Sequence, residues 1–366
     1  MAAGVKRAVA RVNLAAVQRN CARLRDALTG GAELCAVVKA DGYGHGAAPC
    51  AEAALAGGAT WIAVAAASEA AHLRAVGIAA PLLVMGALTP AEVDVAAAAH
   101  ADVVTWDEPF VAVLAGRRLR VHVKLDTGMG RLGTRDLDQA RRAVAAIDEA
   151  EGLELGGVMT HFATADEVGD AFLGEQLAAF KPFAQEVKEW HPSIVAHAAN
   201  SAATLREPRS HFDLVRCGVA VYGLDPFQRD PGEQGLEPAL TLRSYVAAVK
   251  PAAPGESAGY GRRWTAGEPT RLATIPIGYG DGVRRALTNN ADVVIRGRRY
   301  PVAGTVSMDN ITVDLGPDAD VRPYDEAVLI GDGVSAEEWA RRLDTINYEV
   351  TCGLTARVER EYHRDD

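Results

Sequence analysis

A chain of 366 residues is too long for one small core, and two domains is the natural division. With 49% hydrophobic and 23% charged residues, no low-complexity tract and a net charge of −10, it reads as an ordinary globular protein. The acidic balance and the lack of any Lys/Arg block exclude a binder of nucleic-acid phosphate. Cys21, Cys35, Cys50, Cys217 and Cys352 are odd in number and not in metal-ligand spacing, so buried thiols in a reducing compartment are expected, and no metal. Residues 1–7 lack an apolar stretch after their charges, so no signal peptide is expected. Glu52, Glu69, His72 and Arg74 interrupt the Ala-rich stretch 47–88, which excludes a membrane span there. A cytoplasmic protein without membrane or nucleic-acid partners is the expectation.

From about residue 30 to 223, apolar β-type runs alternate with Ala-rich helical stretches. The runs fall at 36–40, 61–65, 81–86, 102–105, 121–126, 155–162, 194–198 and 214–222. Helices are predicted between them, for example over 48–55, 68–76, 90–98 and 137–149, with Ser68-Glu69 and Thr89-Pro90 as starts. Strands separated by helices pair in parallel through right-handed crossovers, and eight such units fit a closed (β/α)₈ TIM-type barrel. No Gly-x-Gly-x-x-Gly follows the first strand, which weighs against an open dinucleotide-binding sheet. Beyond about residue 239 the texture changes to short β runs at 241–249, 271–277, 292–295, 300–303 and 311–314, separated by turn residues. A helix over 336–342 and a strand over 356–362 follow. The predicted division is therefore a barrel over 1–238 and a mainly antiparallel β domain over 239–366.

The first apolar run ends on a lysine and breaks into glycine-rich turn chemistry: Cys35-Ala36-Val37-Val38-Lys39-Ala40-Asp41-Gly42-Tyr43-Gly44-His45-Gly46. A free lysine amine titrates near ~10.4 and is a poor nucleophile at neutral pH, but desolvation or a neighbouring cation lowers that value and suits it to imine chemistry. Barrel enzymes gather their reactive groups at the C-terminal ends of strands. There the sequence puts Lys39, Arg131 in Lys124-Leu125-Asp126-Thr127-Gly128-Met129-Gly130-Arg131, His161, His197, Asn200, Ser201 and Arg216. The loops after the last two strands, with Ser201 and Gly218, suit a phosphate.

The stretch from Ala36 to Gly46 resembles the cofactor-lysine signature of the alanine racemases, a family of pyridoxal-phosphate enzymes. The likeness runs through Lys124–Arg131, His161–Asp166, Asn200-Ser201-Ala202, Arg216, Tyr222-Gly223, Ile275–Tyr279, Ser307-Met308-Asp309 and Ile346–Glu349. It implies a homodimer whose active sites are shared, each β domain facing the partner's barrel mouth. It implies that Lys39 holds pyridoxal 5'-phosphate covalently and that Tyr43, Ser201, Gly218, Val219 and Tyr348 bind the phosphate. Arg131 and Met308 would hold the substrate carboxylate, the latter from the partner, and Lys124 matches a position carbamylated in some members. Tyr260, again from the partner, would be the second catalytic base, tuned by His161. Ser307 stands where many relatives have cysteine.

Inverting an α-carbon needs a proton removed on one face and returned on the other, which a lysine and a tyrosine can do as a pair. Arg216, steadied by His197, would face the cofactor ring nitrogen. A guanidinium only donates, so the ring would stay unprotonated and be a weaker electron sink, which favours reprotonation over decarboxylation or transamination. The implied reaction is interconversion of L- and D-alanine, supplying D-alanine for peptidoglycan. The alternatives are a racemase of broader or different range, such as serine or lysine, a basic amino-acid decarboxylase, and a non-catalytic carrier of the cofactor. A decarboxylase would be longer and place an acid at 216, and a carrier would lack the second domain.

Overall fold

The structure is a computed structural model that describes residues 6–365, so residues 1–5 of the stretch read for a leader lie outside the described residues. The chain forms two compact units, one of them spanning Val17–Phe227 and Gly232–Leu236. The first strand, β1 (Val9–Asn13), belongs to the other unit. Then β2 (Glu33–Val37), β3 (Trp61–Val64), β4 (Leu82–Val84), β5 (Ala101–Thr105), β6 (Leu119–Lys124), β7 (Leu153–Met159), β8 (Val195–His197) and β9 (Leu214–Cys217) close into a parallel barrel. Closure sets Cys35 of β2 opposite Arg216 of β9. Helices over Ala47–Ala56, Ala67–Ala75, Pro90–Ala98, Glu108–Leu114, Leu137–Glu149 and Phe172–Trp190 intervene between strands. β3 and β4 are unbroken apolar runs because every one of their residues is buried.

Helix Pro90–Ala98 begins as its sequence predicts. The Thr89 hydroxyl accepts the Glu92 N–H at 3.4 Å, and the Glu92 carboxylate takes the Thr89 N–H at 2.8 Å. The helix read from Ser68 starts one residue earlier, after Ala66, without a capping hydroxyl. Glu69 compensates, its Oε2 accepting the N–H groups of Ala65 and Ala66 at 2.9 and 3.1 Å.

The second unit takes in the chain up to Ala16, Gln228–Pro231 and everything from Glu237 onward. Its strands are β10 (Leu240–Tyr245), β11 (Ala248–Ala252), β12 (Ser257–Ala258), β13 (Trp264–Thr265), β14 (Thr270–Ile275), β15 (Asp292–Ile295), β16 (Arg298–Pro301), β17 (Ile311–Asp314), β18 (Glu326–Ile330) and β19 (Glu359–His363). They form a six-stranded sheet ordered β16-β15-β18-β10-β1-β19, a three-stranded sheet β11-β14-β17 and a ribbon β12-β13. β1 lies antiparallel to β10 and parallel to β19. The N-terminal segment therefore groups with the C-terminal unit, where the sequence reading had assigned it to the barrel. The run 241–249 is two strands because the chain changes partners: Val246 donates to Asp325 and Ala247 to Thr274. Asp281, fully buried, ties this unit together by accepting from Arg7 and from the Gly278 N–H, with the Arg357 guanidinium beside it.

Candidate active site

Lys39 follows β2 by one residue and opens a turn of unusual hand. Ala40, Asp41, Gly42 and Tyr43 all have φ between 51° and 63°, so four successive residues coil left-handed. Only Gly42 adopts that region without penalty. Backbone and side-chain bonds hold the turn. Gly42 N–H donates to Val38 at 2.9 Å, Gly46 N–H to the Asp41 carbonyl at 2.8 Å, and Ala47 N–H to Asp41 Oδ1 at 2.9 Å. The other oxygen of the Glu69 carboxylate, Oε1, takes the Ala40 N–H at 2.6 Å. The turn brings the buried Tyr43 ring to 6.0 Å from Lys39 Nζ.

Tyr43 also meets the end of β9. A Cβ on Gly218 would lie 2.2 Å from the Tyr43 hydroxyl, so only glycine lets that oxygen approach. Beside it the Ser201 hydroxyl accepts the N–H groups of Gly218 and Ala220 at 3.0 and 3.4 Å, and Val219 opens the following helical turn. This corner gathers backbone donors and two hydroxyls without a carboxylate among them.

Arg216 is buried and firmly held. Its Nη1 donates to His197 Nδ1 at 2.8 Å, and Nη2 donates to the carbonyls of Thr160 (2.8 Å) and Ala198 (3.1 Å) and to His161 Nδ1 (3.2 Å). Its Nε–H makes no hydrogen bond among the described residues. Burial pushes the guanidinium down to about 10. Burial and the Arg216 charge hold both His161 and His197 well below the ordinary histidine range, so both rings stay neutral acceptors at Nδ1.

Lys124 ends β6 with 4% of its surface exposed. Burial, then Arg216, Arg131 and Lys39, push its amine down to about 8, with Asp126 opposing them. Asp126 organises the exposed loop that carries Arg131. Its carboxylate accepts from the N–H groups of Gly128 and Gly130 and from Arg135, which outweigh its burial and hold it below the usual carboxylate range. Four cations thus act on one another in this barrel mouth.

The structure brings together Lys39, Tyr43, Lys124, Arg131, His161, His197, Ser201, Arg216, Gly218 and Val219, all in the barrel unit. Tyr260, Met308 and Tyr348 belong to the other unit. Tyr260 is 75% exposed on a single 3₁₀ turn, Met308 is 51% exposed, and Tyr348 is half-buried on the helix Asn347–Cys352. Tyr279 and Gly280 donate to the Ser307 and Met308 carbonyls at 2.9 Å each, which fixes the backbone under Met308.

Sequence reasoning missed several supporting residues. Gln176, buried on Phe172–Trp190, donates to the His161 carbonyl and to Thr127, and its oxygen takes the Ala163 N–H. His122 and Asp102 are buried behind His197. The signal for His122 was the alternation Arg120-Val121-His122-Val123-Lys124, which puts polar groups at every second position of a barrel strand and so on one face.

A family model described as the alanine racemase N-terminal domain matches residues 12–226, and one for the C-terminal domain matches 239–362. The alanine racemase of Symbiobacterium thermophilum is 42% identical over 373 residues, covering 98% of each chain. The crystal structure of alanine racemase from D-cycloserine-producing Streptomyces lavendulae superposes with a TM-score of 0.90 at 37% identity, covering 98% of each chain. That of Bacillus anthracis with bound L-Ala-P gives a TM-score of 0.90 at 35% identity, covering 100% of this chain and 97% of the other.

Proposed function

The chain belongs to the alanine racemase family, and from that premise we propose that the barrel mouth is a pyridoxal-phosphate centre completed by a second copy of the chain. As a family member it is an isomerase that interconverts L- and D-alanine. The observation that carries the site assignment is Arg216, whose Nη1 and Nη2 are held by four acceptors while its Nε–H is left without one among the described residues, at the centre of a mouth with four cations. That mouth fits an anionic cofactor with a ring nitrogen able to accept one hydrogen bond. The Tyr43–Gly218–Ser201 corner fits its phosphate. Bound there, the cofactor supplies a conjugated electron sink that acidifies the α-proton of alanine.

The chain's own groups account for the rest. Lys39 attaches the cofactor and moves the α-proton on one face, while Tyr260 of the second copy does so on the other. Exposure of Tyr260 and Met308 supports their donation to a partner. Neutral His161 accepts from Arg216 at Nδ1, so its Nε2–H is the donor left to stabilise the Tyr260 oxygen as its proton departs. Arg131 and Met308 receive the substrate carboxylate. Tyr43, Ser201, Gly218, Val219 and Tyr348 receive the phosphate. Lys124, with its amine near 8, is readily carbamylated, and the resulting anion would align Arg131. Arg216 cannot give up a proton to the ring, which keeps the sink weak and the outcome racemisation. Four of the five free cysteines are buried as expected, whereas Cys352 is exposed. The free thiols support a reducing, cytoplasmic setting, and among the described residues no helix is long and apolar enough to cross a membrane.

The test is reconstitution. Purified protein with pyridoxal phosphate is expected to show a long-wavelength absorbance band that borohydride removes, and to convert either enantiomer of alanine to the racemate. A band that resists borohydride would refute the lysine linkage. Prompt interconversion of serine or lysine beside slow alanine turnover would refute the substrate.

A further inference from the structure

Behind Arg216 a line of buried groups runs back into the barrel. Arg216 Nη1 lies 2.8 Å from His197 Nδ1, His197 Nε2 lies 2.9 Å from His122 Nδ1, and His122 Nε2 lies 3.0 Å from Asp102 Oδ2. Both imidazoles are fully buried and Asp102 is 7% exposed. The space is built for this. A Cβ on Gly157 of β7 would lie 2.5 Å from His122 Nδ1, and one on Gly156 would lie 3.0 Å from Nε2. The register of β6 against β7 also shifts between Val121 and His122. Trp61 meets the His122 ring edge-on at 6.2 Å, and Arg120 reaches Asp102 at 3.4 Å.

The two ends dictate the direction of every bond between them. A guanidinium can only donate and a carboxylate can only accept. Arg216 therefore donates to His197, His197 donates through Nε2 to His122, and His122 donates through Nε2 to Asp102. Each ring is neutral and carries its proton on Nε2. Reversing either ring would set His197 Nδ1–H against an Arg216 N–H, or leave Asp102 facing a lone pair. We propose that Asp102 and His122 are positioning residues for the racemisation, which lock His197 as an acceptor and so hold Arg216 as an obligate donor aimed at the reacting centre. This rests on the reading of the barrel mouth as the cofactor centre.

The test starts on cofactor-free protein labelled with ¹⁵N at histidine, where the imidazole shifts report which nitrogen is protonated. The wild type is expected to show Nε2–H in both His122 and His197. In Asp102→Asn the amide can donate back to Nε2, and His122 is expected to populate the Nδ1–H form. With pyridoxal phosphate bound, that variant is expected to lose roughly tenfold or more in kcat with little change in KM. A larger share of its turnovers should end in keto acid by transamination, because a loosened Arg216 admits a protonated and stronger electron sink. Asp102→Glu, which keeps a carboxylate acceptor, is expected to retain the wild-type tautomers and product ratio. An Nδ1–H or doubly protonated ring in the wild type would overturn the proposal, and that result stands even if Asp102→Asn does not fold. Altered tautomers with unchanged kcat and product ratio would also overturn it, by reducing the line to a structural stitch. A wild type with the expected tautomers that neither binds pyridoxal phosphate nor racemises alanine would instead overturn the functional reading on which the role depends.

Discussion

Replacing Lys124 with methionine removes a buried cation from among other cations and leaves a side chain of similar length. Burial and the charges of Arg216, Arg131 and Lys39 take the Lys124 amine from 10.5 to about 8 in the folded protein. A base whose folded value is depressed opposes folding in full below that value, and the penalty fades as pH rises toward 10.5, because the unfolded chain then holds the extra proton. The separation of the two values, at about 1.4 kcal/mol for each factor of ten, sets the penalty at about 3 kcal/mol at pH 7. At pH 9.5 only about 1 kcal/mol remains by the same relation. Urea unfolding of cofactor-free protein in CO₂-free buffer, wild type beside Lys124→Met, reads the difference. The variant should be the more stable at pH 7, and its advantage should shrink by roughly 2 kcal/mol between pH 7 and 9.5. Bicarbonate should stabilise the wild type alone, since only Lys124 can become an anion facing Arg131. A stability difference that stays flat across that pH range would refute the depressed amine.

Gly218→Ala forces a methyl to within 2.2 Å of the Tyr43 hydroxyl, so the ring must move out of the proposed phosphate corner. Losing one charge-assisted hydrogen bond there should weaken pyridoxal-phosphate binding roughly 10- to 100-fold in a spectroscopic titration, and unchanged affinity would dismiss the corner. Shared sites make a sharper forecast. Lys39→Ala and Tyr260→Phe chains, each inactive alone, should regain activity when refolded together, because one site of the mixed dimer then carries both wild-type groups. Continued inactivity of verified mixed dimers would mean that each chain supplies both bases to its own site.

The barrel was legible because its strands are largely buried and read as short, mostly apolar runs between helical stretches, β3 and β4 most plainly, which a single sequence displays locally. Strand β1 was not legible, since what makes Val9–Asn13 a strand is pairing with β10 and β19, partners more than two hundred residues away in sequence. The helix carrying Tyr348 was missed for a related reason. Asn347–Cys352 contains Val350 and Thr351, poor helix formers, and it is anchored from outside: Gln228 accepts the Asn347 N–H, and the Asn347 amide donates to the buried Glu337. In the site, Lys39, Arg131, His161, His197 and Arg216 announced themselves as charged or polar groups at strand ends. Asp102 and His122 lie deeper along their strands, where rules of thumb expect packing. Only the alternation through Arg120, His122 and Lys124 betrayed His122, and nothing comparable marked Asp102.

The left-handed turn after Lys39 shows what the fold gives up to assemble this mouth. Ala40, Asp41 and Tyr43 each forgo about 1–2 kcal/mol relative to right-handed backbone, roughly 3–6 kcal/mol together. Nothing local in an Ala-Asp-Gly-Tyr sequence favours that hand except the glycine. The offset comes from the surroundings: Glu69 on the Ala40 N–H, Asp41 on the Ala47 N–H, and the next helix starting directly from Gly46. A right-handed turn would satisfy the same backbone at lower cost, but its side chains would leave on the mirror-related path, and Tyr43 would swing off Gly218. Strain that the surrounding structure over-determines gathers where side-chain aim matters more than local stability. Here the aim concerns two side chains at once, the amine of Lys39 and the hydroxyl of Tyr43, which the proposed function assigns to opposite ends of one bound group. Glu69, which caps a helix with one oxygen and holds the turn with the other, therefore contributes to the barrel and to the mouth through a single carboxylate.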